Sequence, residues 1–147
     1  MRTRPAFALL FPLAVALGGC ATSGPRFHEV QASMPALPAD QGRIVLYRST
    51  SFGAVIQPSI KLNGTVVGGS TPYGFYFVDR PAGDYTVSAT TESEQKVSFT
   101  LSAGEERFVR LQPAFGFVVG RMVPVLVDRN EALSEIKDLR LVEPKVQ

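Results

Sequence analysis

From Gly42 onward, short runs of apolar and β-branched residues are separated by turn residues every few positions, the spacing of an all-β domain rather than of alternating strands and helices. Arg43 to Arg48 opens the series with a continuous apolar run, Ile44-Val45-Leu46-Tyr47. Ser59 to Leu62 and Thr65 to Val67 flank Asn63-Gly64. Both central residues of a type I′ turn need positive φ, which Asn and Gly tolerate, so this stretch predicts a hairpin. Tyr73 to Val78 predicts the next strand, and Asp79 to Asp84, with Pro81 and Gly83, a turn. Tyr85, Val87 and Ala89 then alternate with polar residues, as do Val97, Phe99 and Leu101, and Ala103-Gly104 reverses the chain into a strand from Arg107 to Gln112. Pro113 to Val127 predicts one or two more strands, with Gly116 and Gly120 as bends or bulges.

Two segments break the two-residue period. Between Asp128 and Leu139, Ala132, Leu133, Ile136 and Leu139 recur at spacings of three and four, predicting one short helix capped by Asp128 or Asn130. Such a helix is expected to cover a sheet edge or an open end of the core. At the other terminus, Arg2 and Arg4 precede an apolar run from Ala6 to Leu17, interrupted by Pro12. This is the grammar of a secretory signal peptide, and the run is shorter than the roughly 20 residues a retained membrane span needs.

The residues that follow that run, Leu17-Gly18-Gly19-Cys20, resemble the lipobox of bacterial lipoproteins. The resemblance implies cleavage after Gly19, with Leu17, Gly18 and Gly19 read by the signal peptidase, and acylation of Cys20. Two or three acyl chains, at roughly 0.8 kcal/mol per buried methylene, hold a protein on a membrane where one chain would not. Ala21 in the second mature position is similar to what lipoproteins sorted to the outer membrane carry, which implies the periplasmic face of that membrane. Prolines at 25, 35 and 38 mark residues 20–41 as a tether, which as a flexible coil would reach roughly 25 Å. Phe27, Val30, Met34 and Leu37 recur at helical spacings within it, a pattern that would let this part dock on the domain. His28, the one histidine, lies there as a solvated surface residue.

The organisation expected is therefore a signal peptide over 1–19, lipidated Cys20 and tether over 20–41, an all-β domain over 42–141 and a tail over 142–147. The fold expected is a small antiparallel β-sandwich of about seven or eight strands with one short C-terminal helix. Gly42-Arg43-Ile44, Tyr47-Arg48, Leu62-Asn63-Gly64, Val78-Asp79-Arg80-Pro81-Ala82-Gly83, Gly120-Arg121 and Val127-Asp128 resemble a family of bacterial lipoproteins that share a domain of unknown function, of transthyretin-like or immunoglobulin-like type. The resemblance runs from about Phe27 to Leu141 and implies a fold and an address, with no reaction or ligand.

Charge and composition narrow the function classes. Lys and Arg number 15 against 13 Asp and Glu; cleavage before Cys20 removes Arg2 and Arg4 and leaves the mature chain balanced. A neutral domain carries no electrostatic footprint for nucleic acid. With its single cysteine given to lipid, the mature chain keeps no thiol for a disulfide, a zinc site or covalent catalysis. No motif for a nucleophile elbow, a zinc protease, a phosphate loop or a dinucleotide site is present, so neither enzyme activity nor any cofactor or metal is expected. Asp79 and Asp84 read as turn formers, and Glu92 and Glu94 as solvating a hairpin loop.

Aromatic residues remain as the candidates for function. Tyr73, Phe75, Tyr76 and Phe77 lie together, and Phe115 and Phe117 lie in a second glycine-rich stretch. If one face of the first strand is open, Phe75, Phe77, Phe115 and Phe117 form an interaction surface rimmed by Arg48, Arg80 and Arg121. If both faces are buried, its aromatics are packing residues. The expectation is a non-enzymatic, lipid-anchored module that binds another envelope component. The alternative is a glycan- or lipid-binding protein, marked by a concave apolar cavity with a few convergent polar groups.

Overall fold

The continuous apolar run of the first strand is explained by its place at the centre of a three-layer stack. In the computed structural model, which describes residues 23–144, β1 (Gln41–Tyr47) pairs antiparallel with β4 (Gly74–Pro81) and parallel with β7 (Glu106–Ala114). Adding β8 (Arg121–Val127) and β9 (Arg140–Leu141) gives a five-stranded sheet in the order β8-β7-β1-β4-β9. The second sheet has the order β3-β2-β5-β6, from β2 (Ser59–Leu62), β3 (Thr65–Gly69), β5 (Gly83–Thr90) and β6 (Glu94–Leu101). The fold is an all-β sandwich with a short C-terminal helix, α2 (Arg129–Ile136). It departs from the purely antiparallel expectation because β1 runs parallel to β7 and β4 parallel to β9. Leu17, Gly18, Gly19 and Cys20 lie outside the described residues.

Alternation sorts the side chains of the five-stranded sheet into two cores. Ile44, Leu46, Tyr76, Val109, Leu111 and Met122 face the second sheet and meet Ile60, Leu62, Val87, Phe99 and Leu101. Val45, Tyr47, Phe75 and Phe108 point the other way, against Ala132, Ile136 and Leu139 of the helical layer. The helix thus covers the outer face of a sheet rather than an edge or an open end, because the central strands are apolar on both sides and both sides need cover. Asp128 caps α2 as its sequence position predicts, accepting from the amides of Asn130 and Glu131. A polar cluster fastens the same helix: the Tyr47 hydroxyl donates to Glu135 at 2.6 Å, and Arg110 donates to Glu135 at 2.6 Å and Glu131 at 2.9 Å. Burial foremost, and then Glu135, holds the Tyr47 hydroxyl well above its ordinary pKa.

The first described residues form a docked strap rather than a coil. The amide of Leu141 donates to Pro25 at 2.8 Å, that of Phe27 to Leu139 at 2.9 Å and that of His28 to Lys137 at 3.2 Å. After Arg26, α1 (Phe27–Val30) makes one short turn that lays Phe27 on Phe75, with ring centroids 5.2 Å apart at 76°. Val30 and Met34 pack on the same cluster, as their spacing suggests, and Arg43 donates to the Pro35 carbonyl at 2.8 Å. His28 is exposed but held, with Nδ1 2.8 Å from the Lys137 carbonyl.

Both faces of the aromatic strand β4 are covered. Phe75 is fully buried and Tyr76 nearly so, which removes Phe75 from the expected interaction surface. Phe77 is half-buried on the helical layer's core, beneath the Arg43 guanidinium at 4.4 Å from its centroid, and Asp79 clamps that guanidinium at 2.7 and 2.8 Å. Phe77 is therefore also a packing residue. The Asn63-Gly64 hairpin forms as predicted, with φ of 47° and 84°.

Candidate interaction surface at the loop end

Strand directions gather four loops at one end of the sandwich. β1 and β7 run toward this end and β4 and β8 away from it; in the second sheet β3 and β5 arrive and β2 and β6 depart. The loops are residues 49–58, 70–73, 91–93 and 115–120, and Glu92 is the one charged residue in all of them. The opposite end carries Asp79, Arg80, Asp84, Glu105 and Glu106. Apolar side chains crowd the uncharged end in the open: Val55 is 95% exposed, Phe117 93%, Val118 86% and Phe115 85%, with Phe52 and Tyr73 each at 50%. A surface of this kind is costly to leave in water, which makes it the candidate interaction surface.

A buried arginine and a half-buried carboxylate hold these loops in shape. Arg48, expected as a rim residue, is instead fully buried where β1 ends. Its guanidinium donates to the carbonyls of Phe52 at 2.6 Å, Ile56 and Ser70 at 2.8 Å and Thr50 at 3.2 Å, tying the 49–58 loop to the start of the 70–73 loop. Glu92, expected to be solvated, does the complementary job. Its carboxylate accepts from the amides of Phe117 at 2.9 Å, Val118 at 2.8 Å and Val119 at 3.4 Å, and from Arg121 Nε at 3.2 Å. One carboxylate thus occupies three successive amides that would otherwise be unpaired in a turn. Gly116 is required beside it, since a Cβ there would collide with the Glu92 carboxylate, and Gly120 turns the chain at φ +92°. These are the bends the two glycines predict, in a loop between β7 and β8.

Amide donation, that of Val118 foremost, outweighs the cost of desolvation and pulls the Glu92 carboxyl from 4.5 down to about 2. A group whose folded pKa is depressed stabilises the fold fully above its unfolded pKa, and the contribution fades as pH falls through the folded value. The 115–120 loop is therefore expected to keep its native shape through the ordinary carboxylate range and to loosen only as pH approaches about 2. Amide chemical shifts of Phe117 to Val119 followed during acid titration check this. A midpoint at the usual carboxylate value would contradict the arrangement, and Glu92→Gln is expected to abolish the transition.

Between the loops lies an open groove of about 690 Å³, lined by Val55, Ile56, Pro58, Val118 and Val119 with Gln57, Thr90 and Thr91. The Thr91 hydroxyl is buried beside it without a hydrogen-bond partner. On the far side of the rim, Phe52 and Phe115 meet edge to face at 5.3 Å, and the Tyr73 hydroxyl reaches Ser51 at 3.3 Å. Tyr73 holds φ at 53°, a left-handed conformation that is uncommon for an aromatic residue and concentrates at functional loops.

A model of the family described as "Protein of unknown function (DUF2846)" matches residues 38–121. The chain belongs to the DUF2846 family. The matched region begins just ahead of β1 and ends on the first residue of β8, so the DUF2846 match contains all four loops together with Arg48, Glu92 and Arg121. It is narrower than the resemblance from Phe27 to Leu141, leaving the strap and α2 outside. No curated protein and no solved structure matches the chain.

Of the aromatics singled out from sequence, the structure places Phe115 and Phe117 in the DUF2846 loop end and Phe75 and Phe77 in the helical layer's core. Arg121 does lie at the loop end, 5.6 Å from the Phe117 ring, whereas Arg80 sits at the opposite end of β4. Sequence reasoning missed Phe52, Val55 and Val118 as exposed apolar residues. The signal for Phe52 and Val55 was the long uncharged loop after Arg48, which has neither strand alternation nor solvating charge.

Proposed function

We propose that this DUF2846 protein is a lipid-anchored envelope lipoprotein that works by contact rather than by chemistry, a non-enzymatic binding or structural accessory module on the periplasmic face of the outer membrane. The address rests on the signal-peptide grammar and Leu17-Gly18-Gly19-Cys20. The observation that carries the contact role is the loop end, an apolar rim held by the buried Arg48 and the hydrogen-bonded Glu92 carboxylate. Rigid exposed aromatics suit recognition, since they contribute large contact area at small entropic cost.

Glycan or lipid binding is the second reading, and the groove beside Thr91 favours it because an unpartnered hydroxyl next to apolar walls is what orients a small ligand. Photo-crosslinking in intact cells from probes at Phe115 and Phe117 separates the two. A single dominant protein adduct supports an accessory role, and adducts confined to glycan support the second reading. The absence of any adduct at either position defeats both.

The address has its own test. Cys20→Ser is expected to abolish acyl labelling and to release the protein from the membrane fraction. Persistence of either in the variant would contradict the anchor.

A further inference from the structure

We propose that the loop end is a self-association surface whose partner is a second copy of this chain, met across a two-fold axis. The inference rests on the reading that this end works by contact, and adds to it the identity of the partner.

Shape is the first observation that points to a second copy. Phe117 and Val118 stand 93% and 86% exposed beside the open groove of about 690 Å³, which has Val55, Ile56 and Pro58 on one wall and Val118 and Val119 on the other. A ridge with a groove next to it makes a surface complementary to itself. Half a turn about an axis between the two lays each ridge in the other copy's groove, as an isologous contact requires.

Area is the second. At their exposed fractions the four aromatics of the rim leave roughly 550 Å² open, and the three exposed valines bring the apolar patch to roughly 900 Å² per copy. The patch is continuous, since Phe52 meets Phe115 in the rim and Val118 faces Val55 across the groove. A stable interface takes about 800 Å² from each partner, whereas the largest apolar patch of a typical monomer is roughly 300 to 600 Å².

Charge is the third. A surface that meets its own copy sets like against like, so an unpaired charge near its centre would face its double and repel it. Glu92, the one charged residue of the four loops, is satisfied within its own chain by three amides and Arg121. The end therefore has no net charge to repel a copy and none to attract a partner of opposite sign. Exposed His28, Glu29, Lys137 and Asp138 lie to one side of it, on the helical layer, with both signs present. An apolar centre with a polar flank is the anatomy of an interface between proteins. The strap leaves this surface free: Arg26 bridges Arg140 antiparallel, so from Phe27 back to Gly24 the chain runs away from the loop end.

Cysteines placed one at a time in the full chain read the contact in intact cells, with a short bismaleimide that joins only neighbouring thiols. Cys20 is the only native cysteine, so the unaltered chain serves as the blank. Val118→Cys and Val119→Cys are expected to give a crosslinked dimer of the chain in several-fold higher yield than Ser102→Cys at the opposite end. Adding Val55→Asp, at a position 95% exposed and so without a packing role, is expected to lower the Val118→Cys yield several-fold. Equal yields at the two ends would mean chance encounters and would overturn the inference, as would a dimer that Val55→Asp leaves untouched. Monomer throughout, with photo-probes at Phe115 and Phe117 still capturing another protein or a glycan, rules out the second copy and leaves the end a binding surface. Monomer throughout with no adduct at either probe removes the contact reading and the inference together.

Discussion

Arg48→Met is expected to cost the domain about 3 to 5 kcal/mol, a large share of the stability of a fold this size. The side chain is fully buried and has no carboxylate beside it; four main-chain carbonyls are its counter-dipoles. Burial lowers its pKa, yet a guanidinium stays charged at any pH the fold survives. Removing it leaves the carbonyls of Phe52, Ile56 and Ser70 pointed into a dry pocket, each stripped of a charge-assisted bond. The loop's recourse is to open to water, which undoes the rim as well as the stability. Arg48→Lys keeps the charge but cannot spread donors over four separated acceptors, and is expected to recover only part of the loss. Urea denaturation measures both. A loss below about 1 kcal/mol for Arg48→Met, the range of an ordinary single hydrogen bond, would show that the four bonds do not act as a hub.

Arg48 also shows where sequence reasoning stops. The strand before it was legible because an apolar run of four residues has few ways to bury itself except in the middle of a sheet. The Asn-Gly hairpin, the α2 cap and the alternating faces of β5 and β6 were legible for similarly local reasons. An arginine at the end of a strand has no such signature: whether it is solvated or buried depends on carbonyls up to 22 residues away. Glu92 is the same case, since its three amide donors lie 25 to 27 residues further along. The exposure of Phe117 and the burial of Phe75 were likewise undetermined by residue type, and were decided by the helical layer that covers one and not the other. Parallel pairing of β1 with β7 joins strands far apart in sequence and leaves no turn to announce it.

Phe27→Ala is expected to release the strap while leaving the sandwich folded. Phe27 is 5% exposed and stacks on Phe75, so its truncation removes about 3 to 5 kcal/mol of burial and edge contact. A strap held by one aromatic anchor and a few backbone bonds has a cheaper response than global unfolding, which is to detach locally. The amides of Phe27 and Leu141, which donate to Leu139 and Pro25, are therefore expected to lose hydrogen-exchange protection, and Arg26 to become an early site of trypsin cleavage. The amides of β5 and β6, in the sheet that the strap does not touch, are expected to keep theirs. Detachment also lengthens the free chain ahead of the sandwich, because the segment back to Cys20 becomes a coil of about 20 residues, spanning roughly 25 Å. Unchanged protection at Leu141 would mean that the backbone bonds hold the strap without Phe27. Loss of protection throughout both sheets would mean that the strap and the sandwich unfold as one cooperative unit, and that the tether has no separate docked and free states to exploit.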